Sequence, residues 1–290
     1  MSTQAAESGA ARADLHTHST SSDGTLAPAD LVRQASRRGL TILALTDHDT
    51  TSGLADAIAT GEALGVRVIP GIELSTDVSA GEVHILGYGI DSENQTLQQA
   101  LARYRQARRE RAERIIARLC ELGVDLPEGS VQASDSDASL GRPHIARAMI
   151  AAGYVQSVSE AFDRYLGNDK PAYIASERKP TPEEAIRLIR AAGGLPVLAH
   201  PYTSDAFPES LPALVKAGLA GIEVYYAEYP PEQRLALARI ADEHGLLATG
   251  GSDYHGEQFK ERRDLGSVEL PAEVLQRFLQ RLDSKQPHSR

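Results

Sequence analysis

Histidines and carboxylates recur along this chain at spacings that suit metal ions. In ADLHTHS, residues 13–19, His16 and His18 stand two apart. In an extended strand both imidazoles then point to one face. Two imidazoles on one buried face either hold something jointly or leave hydrogen-bonding capacity unused. Asp23 follows in SSDG. The same grammar, an apolar run turning abruptly polar, returns in ILALTDHD with Asp47, His48 and Asp49, and in VIPGIELS with Glu73. It returns again in EVHILGYG with His84, in LPVLAHP with His200, and in LLATGGSDYH with Asp253 and His255. Six of the nine histidines fall in these runs, whereas His144, His244 and His288 fall in predicted helix or tail. With Asp23, Glu73 and Asp253 they make nine candidate ligands of mixed nitrogen and oxygen type. That is too many for one ion and suits two or three divalent ions. Imidazole with carboxylate favours Zn, Mn or Fe over Mg or Ca.

The elements that must position these residues alternate. Seven apolar runs read as strands, several of them continuous, as expected of parallel strands buried on both faces. Between them lie helical patterns. APADLVRQASRRGL and SGLADAIATGEALG end at Gly39 and Gly65, and TPEEAIRLIRAAGG opens on a capping box of Thr181 and Glu184 with Pro182 between. Alternation of this kind predicts a parallel α/β fold. In a barrel of parallel strands the polar strand ends converge on one mouth. The stretch 91–179 breaks the pattern with a long basic helix and two shorter ones, GRPHIARAMIAAG and VSEAFDRYLG. The expected organisation is a discontinuous barrel, 12–90 and 180–280, a helical insertion at 91–179 that selects substrate, and disordered termini at 1–11 and 281–290.

Composition narrows the function. The formal charge of −10 argues against a grip on long DNA, which needs a basic surface. A small anionic substrate stays compatible, because bound metal inverts the local sign. The single cysteine, Cys120, excludes an intrachain disulfide and a thiolate zinc cluster. MSTQAAESGAAR lacks the basic start and apolar run of a secretory signal, and no stretch has the length of a membrane span, so a cytoplasmic location is expected.

Taken together, DLHTHS with SSDG, LTDHDT, GIELS, VHILGY, AHP and GSDYHG resemble, in order and spacing, the PHP (polymerase and histidinol phosphatase) superfamily over about residues 12 to 257. The resemblance implies a distorted seven-stranded (β/α)7 barrel with a trinuclear metal site. His16, His18, Glu73 and Asp253 would hold one ion. Glu73 would bridge to a second, held also by His84 and His200, and Asp23, His48 and His255 would hold a third. Glu73, His200 and Asp253 are the expected catalytic members, with Asp47 behind them orienting an imidazole. Asp47 and Asp49 as aspartyl nucleophiles are the weaker alternative, given the histidine census.

Bridging metals suit hydrolysis of a phosphate ester. Neither a Cys-x5-Arg loop nor a Gly-x4-Gly-Lys-Ser/Thr loop is present. In SLGRPHIARAM, Arg142 opens a helix and suits an anion, and FDRYLGNDKPAYI adds Arg164 and Lys170. Arg103, Arg105, Arg108, Arg109, Arg111 and Arg114 of the long helix read as a solvated face, with guidance of an oligonucleotide as the alternative. The insertion resembles that of nucleoside 3′,5′-bisphosphate phosphatases and 5′→3′ exoribonucleases. The expected partner is a small phosphorylated nucleotide, with short RNA as a second substrate and no membrane. The alternatives are a histidinol-phosphate phosphatase and a non-catalytic PHP accessory module.

Overall fold

A computed structural model describes residues 11–78, 81–175, 179–257 and 263–285. Seven strands follow one another around a nearly closed sheet: β1 (Ala13–Thr17), β2 (Ile42–Leu45), β3 (Arg67–Val78), β4 (Gly81–Tyr88), β5 (Leu195–Leu198), β6 (Gly221–Tyr226) and β7 (Leu247–Gly251). The two ends of the order meet just past the strands. His18 N donates to Tyr254 O and Asp253 N donates to His16 O, each at 2.9 Å. The helices are α1 (Pro28–Arg37), α2 (Leu54–Leu64), α3 (Gln95–Glu121), α4 (Arg142–Ala151), α5 (Val158–Ala161), α6 (Pro182–Ala191), α7 (Leu211–Ala217), α8 (Pro231–Glu243) and α9 (Ala272–Asp283). A π-helical turn, Phe162–Leu166, continues α5.

Every residue of β1, β2 and β5 is buried, and β2 and β5 accordingly read as unbroken apolar runs, whereas β1 buries Asp14, His16 and Thr17 among its residues. Alternate residues serve two clusters. Leu43 and Leu45 pack outward with Leu31, Val32, Ala57 and Ile186 from the helices, whereas Ile42 and Ala44 join Leu15, Tyr88 and Val197 in a second cluster. Helix α9 supplies Leu275, Phe278 and Leu282 to that second cluster. Residues 281–283, expected to lie in a disordered terminus, are therefore the last turn of α9, held by burial of Leu282. Residues 1–10 and 286–290 of the expected termini lie outside the described residues.

One strand departs from the expected parallel order. β4 runs antiparallel to both β3 and β5, while the other neighbouring pairs are parallel. β3 and β4 are joined too closely in sequence for a crossover, and only an antiparallel hairpin fits such a link. The reversal has a consequence for chemistry. His84 sits in the first half of β4, and it still reaches the mouth formed by the ends of the parallel strands.

Among the described residues between β4 and α6 there is no strand. Ala112, Ile115 and Leu119 of α3 pack with Ile145, Ala146 and Met149 of α4 and with Leu166 in a third cluster of their own. No helix of the described residues is long and apolar enough to cross a membrane.

Candidate metal centre

Glu73, fully buried on β3, is the hub of the mouth. Its Oε2 lies 3.2 Å from His16 Nε2, His18 Nε2 and His48 Nδ1. Its Oε1 lies 2.9 Å from His84 Nδ1 and 3.1 Å from His200 Nε2. Asp253 Oδ1 approaches His16 Nε2 at 3.4 Å and His18 Nε2 at 3.2 Å. Asp23 faces His255 Nε2 at 3.2 Å, with His18 Nδ1 and His48 Nε2 each at 3.9 Å. All nine residues singled out in the sequence as ligands thus converge.

Their ligand atoms form three overlapping sets, each within 4.8 Å: His16, His18, Glu73 and Asp253; His18, Asp23, His48 and His255; and His48, Glu73 and His84. The first is the set implied by the resemblance. The others show His18 and His48 shared between neighbouring positions, while His200 reaches the same Glu73 oxygen as His84. The donors fit divalent cations on an independent ground. His18 Nε2, Asp23 Oδ1 and His48 Nδ1 are buried yet have no hydrogen-bond partner of acceptable geometry. Buried polar atoms left unpaired are costly, and a coordinated ion relieves that cost.

Electrostatics reinforce the clustering. Burial alone would raise the Glu73, Asp23 and Asp253 carboxyls, but the surrounding imidazoles, and Arg263 beside Asp253, hold all three well below the usual carboxylate range. Burial likewise opposes charge on His16 and His18. Glu223, Glu73 and Asp253 outweigh it, so His16 stands well above its ordinary value and His18 is pushed up to about 10. His48 goes the other way, lowered by burial and by neighbouring His18 and His84. Metal entry must displace these protons, since ligands bind deprotonated.

Around the ligands lies a supporting layer. His16 Nδ1 is 3.0 Å from Glu223 Oε1, and the other Glu223 oxygen accepts from His200 N at 2.8 Å. His200 holds φ 25° and Asp253 φ 54°, left-handed values that bulky residues avoid. Glu223 thus fixes one imidazole and the strained backbone of another. Asp253 Oδ2 accepts from Tyr226 Oη at 2.9 Å and from Arg263 Nη1 at 2.5 Å.

Asp47 accepts from Ser19 N at 2.7 Å and from the Ser19 and Ser22 hydroxyls at 2.6 Å each, and the Ser22 hydroxyl in turn lies 3.5 Å from His18 Nδ1. Asp47 pins the loop that carries Asp23. Asp49 is likewise occupied, accepting from Arg108 Nε at 2.7 Å and Ser75 N at 3.2 Å.

A cleft beside the cluster is lined by Asp23, His48, His84, Arg108, Arg111 and Arg142, among others. Arg142, expected to suit an anion, is one of the lining residues. Its Nη1 donates to Leu166 O at 3.1 Å and Asn168 Oδ1 at 3.0 Å, and its guanidinium stands over the Phe162 and Tyr173 rings. Arg164 and Lys170 line no cleft over the cluster. Arg164 is turned to Glu160 at 2.5 Å and to Tyr165 Oη at 3.1 Å, and Lys170 is exposed.

The expected solvated face of α3 holds for Arg103 and Arg114, which are exposed, and is corrected for Arg105, Arg108 and Arg111. Arg105 and Arg111 are buried, and Arg108 bonds Asp49 and Ser75 at the mouth. A signal was present. Leu97, Leu101, Arg105, Arg108, Ala112, Ile115 and Leu119 recur at three- and four-residue steps, so two of the arginines lie in the apolar stripe. Glu223, an acid inside the apolar run GIEVYY, was legible in the same way.

Comparison with known proteins agrees with this geometry. Residues 14–166 match the model of the PHP domain. The chain is 36% identical over 264 residues to a 3′,5′-nucleoside bisphosphate phosphatase of Chromobacterium violaceum, covering 89% of this chain and 92% of that one. It is 35% identical to a 5′-3′ exoribonuclease of Haemophilus influenzae, covering 83% and 89%. A solved structure from Bifidobacterium adolescentis, described as a metal-dependent phosphoesterase, superposes with a TM-score of 0.84 at 35% identity, covering 94% and 96%.

Proposed function

The chain belongs to the PHP domain family, and from that premise we propose that it is a metal-dependent phosphoesterase that removes the 5′ phosphate of nucleoside 3′,5′-bisphosphates and trims short 5′-phosphorylated oligoribonucleotides. One observation carries the reading: a cleft lined by three arginines adjoins a buried cluster of imidazoles and carboxylates. His16, His18, Glu73 and Asp253 would hold one divalent ion. Glu73, His84 and His200 would hold a second, and Asp23, His48 and His255 a third. Mn, Zn and Fe suit this donor set. When bound, such ions supply Lewis acidity and ionise water near neutral pH.

The chain's own residues supply position. Glu73 offers one oxygen to each side of the cluster, which makes it, with His200 and Asp253, the centre of the catalytic set. Arg263 and Tyr226 keep Asp253 aimed inward. Arg142, held over Phe162 and Tyr173 and by Leu166 O and Asn168, would lend its positive charge to a second phosphate. Arg108 and Lys179 add positive charge to the same wall. That wall disfavours histidinol phosphate, whose substrate cation wants an acidic or aromatic pocket. The insertion at 91–179 is thus the substrate-selecting part, and a cytoplasmic location accords with nucleotide substrates.

Release of inorganic phosphate by the Mn- or Zn-loaded protein tests the reading. Adenosine 3′,5′-bisphosphate and short 5′-phosphorylated RNA should both serve as substrates. Preference for histidinol phosphate, or turnover of none of the three, would overturn it.

A further inference from the structure

A polar cavity of about 360 Å³ lies against the flank of α3 and shares no lining residue with the clefts over the metal ligands. Thr50, Thr51 and Ser52 line it where they lead into the first turn of α2, and Ser92, Gln98 and Arg105 line it as well. The start of a helix is its positive end and favours anions. A second, independent feature points the same way. Arg105 is only 6% exposed, and its Nε is buried without a hydrogen-bond partner. A guanidinium N–H left so is costly, and an anionic oxygen would relieve it.

The neighbouring donors are poised in the same sense. The Thr51 hydroxyl accepts from Gln98 Nε2 at 2.8 Å, which leaves its own proton free to donate. Arg105 Nη2 is held by Asp137 Oδ1 at 3.0 Å, but the Asp137 side chain is 68% exposed and can swing out to water. Asp137 occupies the place that a phosphate oxygen would take. Glu93 also lines the cavity, so a bound anion needs the guanidinium to outweigh that acid.

Position along α3 suggests the source of the anion. Arg105 and Arg108 stand three apart, and side chains at that spacing are neighbours on a helix. Arg108 lines the arginine cleft, and its partner Asp49 is followed directly by Thr50. Arg105 at its cavity and Arg108 at the arginine cleft therefore succeed one another along α3, with the buried cluster beyond. We propose that the Arg105 cavity is a phosphate subsite for an internucleotide phosphate of a single strand whose 5′ end lies at the cluster. This rests on the phosphoesterase reading above and adds to it a place for a strand's internucleotide phosphate away from the metal cluster.

The test is equilibrium binding to the metal-loaded protein. The probe is a 3′-fluorescein tetra-adenylate that carries a 5′ phosphate and cleavage-resistant phosphorothioate linkages, followed by anisotropy. Arg105→Gln should weaken binding roughly ten-fold or more, the scale of one charge-assisted hydrogen bond. Thr51→Val should weaken it less. Asp137→Asn should tighten it by releasing Arg105, an opposite sign that a merely structural Arg105–Asp137 pair would not give. Phosphate release from adenosine 3′,5′-bisphosphate should be unchanged in all three. Unchanged strand affinity in Arg105→Gln, or weakening by Asp137→Asn, overturns the proposal. So does Arg105-dependent calorimetric binding of inorganic phosphate without any effect on the strand, which would assign the site to free phosphate. Arg105-dependent strand binding in a protein that releases no phosphate from the bisphosphate would support the subsite while overturning the phosphoesterase reading.

Discussion

Glu73 presents its two oxygens to five imidazoles at 2.9 to 3.2 Å, one oxygen to three of them and the other to two. Glu73→Gln keeps the volume and removes the charge. Metal content measured by elemental analysis should fall, and kcat/KM should drop by at least ~10²-fold, the scale of lost metal-assisted ionisation of water. Full metal content with near-normal turnover would take Glu73 out of the site. Glu223 acts through its neighbours, fixing His16 Nδ1 and His200 N. Glu223→Gln should weaken metal affinity by about 10- to 100-fold, as loss of a carboxylate behind a liganding imidazole does. A metal titration with unchanged midpoint would refute that. Arg142 separates a second-phosphate role from a structural one. Arg142→Ala should lower kcat/KM for adenosine 3′,5′-bisphosphate by roughly 10- to 150-fold, the worth of a charge-assisted hydrogen bond. The loss on adenosine 5′-monophosphate should be much smaller. Equal losses would make Arg142 structural. Arg108 is a poorer test, because removing it strands the buried Asp49 carboxylate.

At the scale of elements, the mouth depends on one strand running backwards. His84 lies in the first half of β4, and reversal of β4 brings that half to the same end as the other ligands. Opposite the mouth's chemistry, α9 contributes Leu275, Phe278 and Leu282 to the cluster that holds Leu15 and Tyr88, residues of the ligand-bearing strands β1 and β4. Leu282 is 2% exposed although it stands in the last turn of the last helix. Leu282→Ala should destabilise by about 2–5 kcal/mol, transfer and cavity terms together. Denaturant unfolding that shifts by less than a surface substitution does would mean that this turn frays, as the sequence had suggested.

For the whole molecule, metal and protons compete for one buried cluster. Without metal, His18 is pushed up to about 10 and His16 stands well above its ordinary value, despite burial, because three carboxylates surround them. A raised folded value means that this stabilisation is complete below the unfolded value near ~6.5 and is lost as pH climbs through the folded one. The chelator-treated protein should therefore show a falling Tm as pH rises from about 6.5 towards 10. The loaded protein should instead gain metal affinity over that range and release protons on uptake. A metal-free Tm that rises across that window would contradict the protonated state of these histidines.

Most candidate ligands were legible in the sequence because they end apolar runs, His84 inside its run and Asp23 in SSDG apart, and strand periodicity puts His16 and His18 on one face. The barrel was legible from the alternation of strand and helix, and the helical insertion from its interruption. Local pattern could not say which way β4 runs, since a strand reads the same in either direction and only pairing through the short β3–β4 link decides. Nor could it name the partners of Arg105, Arg108 and Arg111, although the apolar stripe of α3 runs through the first two. A basic helix in isolation keeps its guanidinium groups in water, and only packing of α3 against Asp49, Ser75 of β3, Asp137 and the Ile174 carbonyl supplies their partners. The same holds for Glu223 and Asp47. The chain records their types and places, but whether a buried carboxylate meets an imidazole or a serine hydroxyl depends on which strand ends the closed barrel brings together.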